Sequence, residues 1–198
     1  MTKTECHDIV QLRNKFSQNK IYKKIYFFTF CESLPERFKI KGEKIMRITE
    51  LLRKESIALQ VDVQSKEETI DYLVDLISQS GIIPDKDEYK QGILLRESLG
   101  TTAIGDEIAI PHAQLDSITA PGIAAITVKN GVDYEAPDGQ DVKLCFIIAA
   151  PKTGDNLHLQ ALAKLSTLLM NPSFKESLLK AKTEEEFLQI INEAESQR

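Results

Sequence analysis

His112 arrives on a stiffened backbone. It follows Pro111, whose ring fixes its own φ and pushes Ile110 toward an extended conformation, so the imidazole sits at the end of a strand-like segment with little freedom to turn. Imidazole has an ordinary pKa of about 6.5, and its neutral, nucleophilic form is therefore abundant at neutral pH. Upstream, Arg96 supplies a charge that does not titrate and a forked donor matched to phosphate oxygens. A nucleophilic nitrogen and a fixed cation are the parts needed to handle phosphate. His158 follows Asp155-Asn156-Leu157 at the opening of an apolar-periodic stretch, in the first turn of a helix capped by Asp155 or Asn156. A helix N-terminus favours neutral imidazole and attracts anions, so His158 is a candidate hydrogen-bond donor to phosphoryl oxygens. Plainer readings stand beside these: a strand-end histidine satisfied by hydrogen bonds, a solvated helix-end arginine, a first-turn histidine facing water. Glu97 pairs with a histidine or with Arg96, or faces solvent. Thr101 and Thr102 offer hydroxyls to phosphate or serve as turn residues, and His7 has no role.

The elements that must hold these groups are readable in outline. Ile48 to Glu55 is a helical candidate and Ile57 to Leu59 a short extended piece. Ser65 to Glu68 has capping-box spacing, and Ile70, Leu73, Val74 and Ile77 follow at helical intervals until Gly81. A second helix over 87–98 carries Arg96 in its last turn, where a cation complements the helix dipole. Ile123 to Val128 and Val142 to Ala150 are β-branched, apolar and bounded by Pro and Gly dipeptides, the second run reading as buried on both faces. Leu157 to Leu169 is helical and ends at Asn171-Pro172. Short helices follow over 172–180 and, after the capping box Thr183 to Glu186, over 184–195. Helices alternating with strands predict a single α/β domain with a central mixed β-sheet flanked by helices.

Read jointly, Arg96-Glu97, Thr101-Thr102-Ala103-Ile104-Gly105, Ala109-Ile110-Pro111-His112 and Asp155-Asn156-Leu157-His158 form one pattern. This pattern resembles enzyme IIA, the A component of the bacterial phosphoenolpyruvate-dependent sugar phosphotransferase system, of the fructose/mannitol type. The likeness covers roughly residues 46 to 195. At two positions, Ala103 and Glu107, the family often has Gly. The resemblance implies the same α/β fold and a phosphohistidine intermediate. It implies that His112 is the phosphorylated nucleophile, taking phosphate from the carrier protein HPr and passing it to a separate B component of a sugar permease. His158 and Arg96 are the catalytic neighbours in this reading, with Glu97 and Thr102 in support. No cofactor and no metal are expected, and an A component does not itself touch the sugar.

Composition narrows the alternatives. The 198 residues are 42% hydrophobic, enough for an ordinary core. Cys6, Cys31 and Cys145 form no CxxC pair and read as reduced thiols of a cytoplasmic protein. No apolar run is long enough to span a membrane, and a net charge of −5 argues against a nucleic-acid partner. Residues 1–45 hold 10 Lys/Arg against 5 Asp/Glu, net +5, which leaves 15 against 25, net −10, for residues 46–198. The first segment also carries the basic-aromatic stretch Ile21 to Phe30. It reads as an N-terminal extension whose place in the native functional protein is open, and residues 46–198 read as the phosphotransferase-type domain. One reading starts the functional protein at Met46, because Gly42-Glu43 can be encoded by a purine run like a ribosome-binding site. Three functions compete: a sugar-system phosphocarrier; a nitrogen-related regulator whose phosphorylation state controls protein partners; and a metal-dependent hydrolase using His112, His158, Asp116 or Asp155. The last fares worst, since no HxH or HExxH spacing occurs and an arginine in the site opposes a cation.

Overall fold

The computed structural model describes residues 46–152 and 157–196, with the side chains of residues 157 and 158 left outside the description. In chain order the elements are α1 (Ile48–Leu51), β1 (Leu52–Val61), α2 (Lys66–Ser78), α3 (Lys86–Ser98), β2 (Ala103–Gly105), β3 (Ile108–Ala109), β4 (His112–Leu115), β5 (Gly122–Val132), β6 (Val142–Pro151), α4 (Leu157–Leu169), α5 (Pro172–Lys180) and α6 (Glu184–Ser196). They form a single α/β domain, and the described residues all lie in one compact unit, 45–198. Residues 1–45, and the expected cap at Asp155 or Asn156, fall outside the described residues.

The central sheet is mixed and six-stranded. β1 pairs parallel with β5, β5 antiparallel with β6, and β6 carries β3 and β4 on its other side, both parallel to it, with β2 antiparallel on β3. β3 and β4 keep one register along β6: Ile108 and Ala109 oppose Leu144 and Cys145, and His112 and Ala113 oppose Ile148 and Ala149. They are one strand interrupted at Ile110-Pro111. Proline has no N–H to give a ladder. The Pro111 carbonyl still accepts the Ile148 amide at 3.0 Å, while Ile110 sends its N–H to the Thr102 carbonyl at 3.1 Å.

β5 and β6 are buried through most of their length, and successive side chains enter opposite cores. Ala124, Ile126, Cys145 and Ile147 join Leu73, Ile77, Tyr89 and Ile93 of α2 and α3 on one face. Ile123, Ala125, Phe146 and Ile148 join Leu165 of α4, Leu178 of α5 and Phe187 of α6 on the other. Caps set the helix starts. Ser65 accepts the Glu68 amide at 3.2 Å, Asp85 the Glu88 amide at 2.9 Å, and Thr183 the Glu186 amide at 3.1 Å. The two ends of the described chain meet across the opposite edge. The Glu195 carboxylate accepts the Ile48 amide at 2.7 Å and the Thr49 hydroxyl at 3.0 Å, and pairs with Lys164 at 2.7 Å.

One expected element differs. The helix over 48–55 stops at Leu51, and a ten-residue strand occupies Leu52–Val61 in place of the short extended piece at 57–59. Arg53, Lys54 and Glu55 are all exposed, so this edge strand lacks the two-residue alternation that announces a strand; parallel pairing with Ile123–Val128 overrides its helix-like composition. No helix among the described residues is long and apolar enough to cross a membrane.

Candidate functional site

The site forms where α3 lies against β4. Gly92 lets the two approach: a Cβ there would meet the Ala113 Cβ at 3.3 Å and the Leu115 methyls at 3.4 Å. One helical turn later the same face of α3 presents Arg96, in its last turn as expected. The Arg96 guanidinium is tied by Nη1 to the Gly100 carbonyl at 3.0 Å, and its Nε donates to Nε2 of His112 at 3.3 Å.

His112 is the first residue of β4 and half-buried. Its Nδ1 lies 2.8 Å from the carbonyl oxygen of Ile110. A carbonyl only accepts, so Nδ1 carries the hydrogen, and Nε2 of the neutral ring holds the lone pair that Arg96 meets. Both contacts agree on one tautomer. Burial pushes the His112 pKa below its ordinary value of 6.5; the Ile110 carbonyl works against that, the Arg96 charge lowers it further, and the Glu97 charge raises it. The net result is a neutral imidazole at pH 7 with Nε2 free of a proton.

Glu97 takes none of the three partners expected of it. The residue is 8% exposed; its carboxylate accepts the Thr102 amide at 3.2 Å and the Thr102 hydroxyl, and pairs with Lys66 of α2 at 3.0 Å. Thr102 is likewise buried, with its hydroxyl turned to Glu97 and not toward His112. Thr101 donates to the Tyr134 carbonyl at 2.9 Å and accepts the Ala103 amide at 3.2 Å, a turn role. His158 sits in the first turn of α4, and its side chain lies outside the described residues. Among the described residues no group of three His, Cys, Asp or Glu side chains is placed to hold a metal ion. Cys145 is buried on β6, which pushes its thiol pKa well up and makes it a poor nucleophile.

The sequence-family comparison decides the lineage: residues 50–194 match the model of the phosphoenolpyruvate-dependent sugar phosphotransferase system, EIIA 2. The chain belongs to this EIIA family. It is 46% identical over 148 residues to the fructose-specific EIIABC component of Bacillus subtilis, covering 75% of this chain and 23% of that protein, and so spans about a quarter of that relative's length. It is 35% identical to the fructose-specific EIIA component of Haloferax volcanii, covering 70% of this chain and 90% of that one. Among solved structures, the nitrogen regulatory protein IIA-Ntr of Neisseria meningitidis superimposes with a TM-score of 0.69 at 30% identity, over 73% of this chain and 98% of that one.

Within this EIIA domain the two departures from glycine are accommodated differently. Ala103 is buried in β2. Asp106 and Glu107 form the two-residue β2–β3 turn with φ of 53° and 65°, the left-handed conformation that such turns require and that glycine takes at least cost. Glu107 is held there by Lys143 at 2.6 Å and Lys175 at 2.9 Å, and these bonds lower its pKa against the opposing effect of burial. Sequence reasoning did not single out Gly92, the Ile110 carbonyl or Lys66. A backbone carbonyl leaves no residue-type signal, and Lys66 reads as an ordinary first-turn lysine until its partner is known.

Proposed function

We propose that this EIIA domain is a phosphocarrier: His112 accepts a phosphoryl group from the phosphohistidine of HPr and passes it to a separate B component that serves sugar uptake. The orientation of the His112 ring carries the reading, with Nδ1–H on the Ile110 carbonyl at 2.8 Å and the Nε2 lone pair at the Arg96 guanidinium. In the transfer, the Nε2 lone pair forms the new N–P bond as the N–P bond of the donor breaks, its electron pair returning to the donor imidazole. That ring keeps the proton on its other nitrogen and leaves neutral, while the His112 ring becomes cationic, its Nδ1–H stabilised by the Ile110 carbonyl. Arg96 releases Nε2 and turns its donors to the phosphoryl oxygens. His158, at the α4 N-terminus, is assigned a hydrogen bond to the same oxygens. Leu95 and Leu99, 69% and 80% exposed, bracket Arg96 with an apolar rim suited to a protein partner. The name of the Bacillus subtilis relative, which joins A, B and C components, supports a B component as the onward acceptor. No sugar, nucleic acid or membrane contact enters the reaction, which we place in the cytoplasm.

Purified protein with phospho-HPr should acquire acid-labile, base-stable phosphate that mass spectrometry places on His112, and His112→Ala should acquire none while remaining folded. Phosphate on His158 with His112 unmodified would reverse the roles. His158→Ala should still be phosphorylated, with onward transfer changed roughly ten- to hundredfold, the scale of one charge-assisted hydrogen bond. A chain of residues 46–198 should transfer as the full chain does; its failure would make residues 1–45 part of the domain. The similarity to a nitrogen regulatory protein favours a second reading, in which the phosphorylation state controls binding of other proteins. Rapid discharge of phospho-His112 to a B component supports transport, whereas phosphate retained in its presence supports regulation.

A further inference from the structure

Behind the site, the sheet face covered by α2 and α3 contains a charge. Glu97 is nearly buried, close enough for its charge to act on the Tyr134 hydroxyl and the Cys145 thiol, surroundings in which an unpaired carboxylate is costly. Lys66 is the cation that faces it. The Lys66 ammonium lies 3.0 Å from Glu97 and 2.8 Å from the exposed Glu135, and 5.0 Å above the ring of Tyr134. Burial lowers the Lys66 pKa, but its bonds to Glu135 and Glu97 more than offset this and leave the ammonium firmly charged. Neither residue touches the nucleophile, yet a chain of contacts runs from them to it. Glu97 holds the amide and hydroxyl of Thr102, the Thr102 carbonyl accepts the Ile110 amide at 3.1 Å, and the Ile110 carbonyl receives the Nδ1–H of His112 at 2.8 Å. Glu97 also adjoins Arg96, whose own anchor is the Gly100 carbonyl in the turn between Glu97 and Thr102. Loosening that turn frees both groups that aim the imidazole.

We propose that Lys66 is a positioning residue: by pairing with buried Glu97 it holds Thr102 and the Ile110 carbonyl in place, and so keeps the His112 ring in the tautomer that leaves Nε2 unprotonated. This rests on His112 being the phosphoryl acceptor for its catalytic meaning, but not for its structural one. Among the described residues, the charges that act on the ring are those of Arg96 and Glu97 of α3, and the contacts that select between its two nitrogens are the Ile110 carbonyl and the Arg96 Nε, both held by this turn.

The test compares wild type with Lys66→Met, which keeps the stem and removes the ammonium, and with Lys66→Arg. Two-bond 1H–15N NMR of labelled protein reads the His112 tautomer with no phosphate donor present. Wild type should show Nδ1–H alone. Lys66→Met should show a mixture with Nε2–H, and its phosphorylation by phospho-HPr should fall at least tenfold in kcat with KM changed less than twofold; Lys66→Arg should recover most of both. A folded Lys66→Met protein with the wild-type tautomer and rate would overturn the proposal. Should Lys66→Met not fold, Thr102→Val, which removes only the hydroxyl held by Glu97, should show the same tautomer mixture, and an unmixed Nδ1–H signal there would overturn it equally. If wild type carries no phosphate on His112 the phosphocarrier reading fails, while the tautomer comparison still decides the role of Lys66.

Discussion

On one face of the sheet Phe146 packs against Phe187, ring centroids 6.0 Å apart, among aliphatic side chains from α1, α4, α5 and α6. On the other, α2 and α3 cover an apolar layer that also admits Glu97, Thr102 and the Lys66 ammonium. The first face gains stability from area removed from water. The second gives some of that up, since a buried ion pair is seldom more stabilising than apolar side chains of equal volume. What it obtains is direction: a fixed ring, a fixed guanidinium and a fixed turn. The domain thus sets an apolar face against one whose apolar layer is shared with the groups proposed to carry the chemistry.

Phe187→Ala should test that contrast most severely. Phe187 is fully buried, and its truncation should cost about 3–5 kcal/mol. Denaturant unfolding would measure the loss, and phosphotransfer per folded molecule should be unchanged; a lower specific rate would show that the two faces are coupled. Arg96→Ala should do the reverse, with stability nearly intact and transfer reduced about ten- to hundredfold, the equivalent of roughly 1.5–3 kcal/mol. Arg96→Lys should fall between, because an ammonium lacks the guanidinium fork.

A smaller effect comes from acid. The His112 pKa is depressed in the folded state, so between that value and the ordinary 6.5 the unfolded chain binds more protons than the native one. Its contribution to stability is complete above about pH 6.5 and is lost as pH falls through that window to the folded value. Phosphate acceptance should persist below the pH at which a free imidazole is half protonated. An NMR titration of the ring would check this, and in Arg96→Ala the titration should move upward because one lowering influence is gone. The smallest effect is expected at the β2–β3 turn. Glu107→Gly relieves a left-handed conformation worth roughly 1–2 kcal/mol but removes two partly exposed ion pairs worth about 0.2–1 kcal/mol each. Thermal unfolding should shift little in either direction.

The sequence announced what is local and concealed what is distant. Ser65 with Glu68, and Thr183 with Glu186, mark helix starts within four residues, and α2 and α6 begin where those boxes place them. The Pro111-His112 pair likewise announced its own strand, because proline acts on its immediate neighbours. β1 was hidden, since its charged Arg53-Lys54-Glu55 stretch becomes a strand only by pairing with β5. β2 and β3, three and two residues long, are too short to carry any period. At the site, Arg96 and His112 were visible as residue types with a known use. The burial of Glu97 was not, because a glutamate at a helix end reads as solvated until Lys66 of another helix is brought to it.

Glu195 has a bearing on how such a domain can be built into larger proteins. Its carboxylate bridges 147 positions of sequence to cap the first described helix, and Arg47 reaches Asn192 at 2.7 Å and Ser196 at 3.3 Å from the same place. The chain therefore enters and leaves the fold at one point, as a loop fastened by a clasp. A module closed in this way can be inserted into a host protein like a bead with both threads on one side, without asking the flanking segments to span its width. Joining its ends and reopening the chain at the exposed Asp138-Gly139 turn leaves every strand of the sheet with its neighbours.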